Sequence, residues 1–123
     1  MQDFPSSPEL LDALAAYLFA ELRPQVPKEE RFRVLVAANI CAVVAREIRA
    51  GSEPDEADRE AFMRLLAGEK PTDTREAASD LAARIRAGEL DGSLPAVIEE
   101  MREHARRKLE IARPGYAAAG EAA

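Results

Sequence analysis

The stretch RVLVAANICAVVARE, residues 33–47, is the most apolar in this 123-residue chain. From Val34 to Ala45 every residue is apolar except Asn39. Valines and isoleucines nowhere alternate with polar residues over a strand's length, so no period of two points to a sheet. At 3.6 residues per turn the run has two apolar faces. Phe32, Leu35, Val36, Ile40 and Val43 lie on one, with Asn39 near its centre. Val34, Ala37, Ala38, Cys41, Ala42 and Ala45 lie on the other, where small side chains allow a neighbouring helix close. A helix apolar all round is normally buried all round. The expectation is therefore a central helix over about 28–50, wrapped by other helices or completed by a second subunit, with Phe32 and Val43 in the core.

Outward from this segment, four more helices are marked by their punctuation. Ser7 predicts a cap and Pro8 a first turn for a helix running to Leu22, with Leu11, Leu14, Ala15, Leu18 and Leu22 as its apolar stripe. Pro24 and Pro27 break it. Gly51 stops the central helix. A third helix spans about 54–67, with Ala61, Phe62, Leu65 and Leu66 inward, and ends at Gly68 and Pro71. A fourth runs from about 72 to 87, with Ala77, Ala78, Leu81, Ala82 and Ile85 on one face, and Gly88 closes it. The fifth spans about 94–113, behind Ser93 and Pro95. The intervening loop, 88–93, is expected to be exposed. The fold class is thus all-α: a compact bundle of about five helices in one domain, 1–123, with 117–123 a tail that lacks an anchoring pattern.

Composition agrees. Hydrophobic residues make up 47% and charged residues 33%, a globular mix, while aromatics are 5% and Trp is absent. Abundant Ala, Leu, Glu and Arg favour helices, since these side chains lose little freedom in them. The net charge of −6 disfavours a nucleic-acid partner. The Arg-rich run at 102–108 is interleaved with Glu and reads as a solvated helix face. The apolar run is short of the roughly 20 residues that cross a bilayer. No basic region followed by an apolar one opens the chain, so a cytoplasmic protein without a membrane partner is expected.

Signatures of chemistry are sparse. Cys41 and His104 are the only cysteine and histidine, too few for a zinc set. No phosphate loop, nucleophile elbow or calcium loop is present. Neither a catalytic residue, a metal nor a cofactor is expected, and the candidates are binding residues. Asn39 has three readings: a buried amide that fixes helix register, a polar handle at the base of an apolar pocket, or a dimer contact. Arg46 and Glu47 follow one to two turns later on the same side. Lys108 falls within the apolar stripe of the fifth helix, where it either pairs with Glu47 or extends its stem along the surface.

The pattern ELLDALAAYL…FRVLVAANICAVVARE…AARIRAGELD…RRKLEIARPGY, over about 8–116, resembles a family of small bacterial helical proteins, a domain of unknown function. Its most specific elements are AANI around Asn39 with the Arg46–Glu47 close, IRAGELD at 85–91, and KLEIARPGY at 108–116. Members often end in an Asn-Pro-x-Tyr-like stretch; here Arg113 stands in place of the Asn, before Pro114, Gly115 and Tyr116. The resemblance implies no catalytic residue. It implies gene neighbours: kinases that look like aminoglycoside phosphotransferases, and acyl-CoA dehydrogenases. The function expected is a non-catalytic accessory protein, itself a homodimer or a partner of such a kinase or dehydrogenase in acyl-CoA or small-molecule metabolism. The alternative is a bundle that binds a small molecule or acyl chain in a pocket near Asn39.

Overall fold

The first helix begins one residue earlier than its prolines suggest. Glu9 is the third residue after Ser6, and the Ser6 backbone N–H donates to Glu9 Oε2 at 2.7 Å. A helix start has amide donors that no carbonyl within the helix can reach, so the spacing to the carboxylate places the boundary. The structure, a computed structural model, describes residues 3–67 and 73–116. The predicted stop at Gly68 and Pro71 and the predicted tail at 117–123 lie outside the described residues. The chain divides into two compact units, Met1–Gly51 and Ser52–Ala123.

In the first unit, α1 spans Ser7–Ala16 and continues as a wider π-helical stretch, Tyr17–Leu22. The proline-bounded turn that follows is clasped by Arg31, whose Nε and Nη2 donate to the Val26 and Pro24 carbonyls at 3.4 and 3.3 Å. A short 3₁₀ turn, Lys28–Glu30, leads into α2, Arg31–Ala50. Gly51 ends α2 at φ 63°, a left-handed conformation that a side chain would strain. Arg49 Nη2 meets Asp12 Oδ2 at 2.6 Å, so the end of α2 lies beside the middle of α1, and with the short turn between them the two run antiparallel.

Two helices make one buried seam, and side-chain size places it. Ala38 and Ala45 are buried, with Val34 and Cys41 half-buried beside them. On α1, Leu11, Ala15, Leu18 and Leu22 are half-buried, while Leu14 of the predicted stripe is exposed. The large-residue face of α2 points outward. Phe32 is 73% exposed, and Val36 and Ile40 are also exposed. The expectation that α2 is buried all round, with Phe32 in the core, is therefore overturned; Val43 is half-buried. Alanines let the helix axes approach closely, and a seam at Phe32 would hold them apart.

The second unit holds α3, Glu53–Leu65, α4, Thr74–Arg86, and α5, Leu94–Ala112, the last entered through a 3₁₀ turn at Asp91–Ser93. Among the described residues there is no strand, so the all-α class and the five helices stand as expected. Phe62, Leu66, Ala77 and Leu81 form the core, and Leu65, Ala78, Leu90 and Met101 pack on it. Asp73 caps α4 by accepting from Glu76 N–H at 2.8 Å. Arg84 Nη1 donates to the Leu66 carbonyl at 3.3 Å, which serves the end of α3. The loop at 88–93 is mostly exposed, but Leu90 anchors it on the core.

Candidate functional site

The exposed face of α2 gathers most of the predicted site. At 3.6 residues per turn, Phe32, Val36, Asn39, Ile40, Val43 and Glu47 fall within roughly 100° of one another. All but Val43 are exposed, and Arg46 at the edge is half-buried. Asn39 is thus no buried amide. It is exposed, between Val36 and Ile40, because the opposite, alanine side of α2 forms the seam. A lone carboxamide costs little there, since water satisfies it. Arg33 flanks the strip with its side chain 80% exposed and reaches Glu30 at 3.5 Å.

Lys108 and Tyr116 belong to the second unit and the α2 residues to the first. Lys108 is exposed on α5. Tyr116 follows α5 and is half exposed, with the Arg113 guanidinium 5.1 Å from its ring centre.

A second constellation was not foreseen. Asp58 on α3 is only 3% exposed. Its Oδ1 accepts from Arg107 Nε at 2.7 Å, and Arg107 Nη2 also lies 2.7 Å away. His104 Nδ1 stands 2.9 Å from Oδ2, at ion-pair distance but off the line of a well-formed hydrogen bond. The His104 ring meets Phe62 edge to face, at 5.2 Å between centroids and 61°. A buried carboxylate held by a guanidinium on one side and an imidazole on the other is a firm link between α3 and α5. It is short of a nucleophile, and Arg107 already occupies the carboxylate. Its signal was in the sequence: Asp58 precedes Ala61, Phe62, Leu65 and Leu66 at i, i+3, i+4, i+7 and i+8, so an acid occupies an apolar-stripe position.

Asn39 lines neither of two hollows that open at the surface among the described residues. One, of about 420 Å³, lies along α3 between Arg59, Glu60, Met63 and Arg64. The other, of about 240 Å³, lies at the turn between Phe19, Arg23, Pro24 and Arg31. Among the described residues no group of three or more His, Cys, Asp or Glu is placed to hold a metal ion, and no helix is long and apolar enough to cross a membrane.

Among the described residues the fold is all-helical, with AANI on α2 and Arg-Pro-Gly-Tyr after α5. The chain belongs to the DUF6285 family, a domain of unknown function, whose model matches residues 24–116. The match takes in the turn, α2 and the described second unit through Tyr116, and leaves α1 outside. No curated protein and no solved structure matches the chain.

Proposed function

We propose that this protein is a non-catalytic accessory protein that binds another protein through the exposed face of α2. One observation carries the reading: Phe32, Val36 and Ile40 stand one turn apart on a single helix, all exposed, Phe32 at 73%. Isolated exposed apolar residues are ordinary, but a contiguous strip with aromatic and branched members marks an interaction surface. Its spacing suits a partner that presents an apolar helix, as in groove and zipper recognition. The partner class proposed is a kinase similar to aminoglycoside phosphotransferases, acting in acyl-CoA or small-molecule metabolism in the cytoplasm. The resemblance of the sequence supports that choice.

The test is titration calorimetry of the purified protein against such a kinase encoded beside it. Binding in the micromolar range, lost in Phe32→Glu and Ile40→Glu, is the expected result. Binding that both variants retain, or none at near-millimolar concentration, refutes the reading.

A further inference from the structure

The face of α2 is complementary to itself. Consider two copies of α2 antiparallel and related by a two-fold axis that passes between positions 39 and 40. With 1.5 Å of rise and 100° of turn per residue, each residue of one helix meets a defined residue of the other. Ile40 meets Ile40 and Asn39 meets Asn39 on either side of the axis. Val36 meets Val43. Arg33 lies on the same edge as Glu47 and within one residue's rise of it, about 1.5 Å, once at each end of the strip. Both Arg33 and Glu47 are exposed and of opposite charge. In the same register Phe32 comes level with Glu47 and lies beside Arg46 on the opposite edge, where its ring can lie along their side-chain stems.

We propose that this face pairs with the same face of a second copy of the chain, in that antiparallel register. The proposal rests on the reading of α2 as an interaction surface and makes a second copy the occupant of that face when the kinase is absent, the two competing for it. The two Arg33–Glu47 pairs set orientation, because a parallel pair would place Arg33 on Arg33 and Glu47 on Glu47. The paired Asn39 side chains supply the register device that a single polar residue gives a helix dimer. They can bond to each other across the axis, donor to acceptor. Size sets the strength. The strip from Phe32 to Glu47 is about 24 Å long at the helical rise. Contact confined to it belongs to the small class, under about 1,200 Å² in total, which is reversible and concentration-dependent.

Sedimentation equilibrium across low-micromolar to near-millimolar protein tests this. The wild type should pass from monomer to dimer within that range, and Ile40→Glu should stay monomeric. Arg33→Glu and Glu47→Arg should each weaken association by roughly tenfold, and the double variant should restore it. All substituted side chains are exposed, and circular dichroism should show each variant helical. A wild type that stays monomeric at the highest concentration overturns the proposal. A double variant no better than the singles overturns the register and with it the antiparallel pair. If the wild type is monomeric and yet binds the kinase through Phe32, self-pairing alone falls and the accessory reading stands.

Discussion

Removing Arg107 should cost more stability than removing the acid it serves. Asp58 has a side chain only 5% exposed, so in Arg107→Met its carboxylate loses its best donor and gains little water in return. Breaking a buried pair from one side typically costs about 3–5 kcal/mol. The Arg107 side chain is 24% exposed, so some water enters, and the lower end, about 3 kcal/mol, is expected. Asp58→Leu leaves the opposite remainder. Arg107 and His104 are 24% and 30% exposed and can turn their polar ends outward, so roughly 1–2 kcal/mol is expected. The double variant Asp58→Leu with Arg107→Met strands no charge and should be more stable than Arg107→Met alone. The coupling should be about 1–3 kcal/mol. Urea denaturation followed by circular dichroism measures each corner of the cycle. Amide exchange at Ala77 and Leu81 assigns the loss to the second unit. If Arg107→Met lies within about 0.5 kcal/mol of wild type, or the two substitutions add without coupling, the buried link is not what joins α3 to α5.

Phe62 is 3% exposed at the centre of the second unit's core, so Phe62→Ala should cost about 3–5 kcal/mol by denaturation. Asn39→Leu, on an exposed position, should leave the monomer within about 0.5 kcal/mol of wild type when measured at dilution. The Glu9 carboxyl is held below its ordinary range, first by the Ser6 backbone N–H and then by the Ser6 side chain. Its folded pKa is thus the lower one, so the support it gives α1 is complete above its unfolded value, about 4.3. That support disappears as pH falls through the folded value. Amide exchange in the first turn of α1 should therefore quicken on acidification, and Glu9→Gln should flatten that dependence; a profile identical to wild type would count against the cap.

Much of the fold was written in local chemistry. Glycine at position 51 and the prolines at 24 and 27 bound the helices because they act on the backbone where they stand. The widening of the first helix at Tyr17–Leu22 was not readable, since the spacing of its leucines suits an ordinary helix equally well. For α2, periodicity defines two faces but cannot say which one a neighbour covers. The residue sizes held that answer: alanines at 38 and 45 permit close approach, and Phe32 forbids it. Asn39 looked buried only because its whole segment did. Asp58 escaped notice for the opposite reason. Acids are common at the start of α3, and only its place on the stripe with Phe62 and Leu66 sets it apart.

The alanine seam also governs which substitutions α2 can accumulate. Ala45 is fully enclosed and Ala38 nearly so, at 0% and 5% exposure. A side chain even one branch larger at either position must push the two helices apart along their length, because packed interiors have no slack to absorb it. On the opposite side of the same helix the exposed residues meet no such limit from the hairpin itself, and what constrains them is the partner they meet. Substitutions on the outward side can therefore change the companion without disturbing the hairpin, while the inner side tolerates only the smallest side chains. One helix carries both a frozen record of its hairpin and an editable surface, and the two are separated by half a turn.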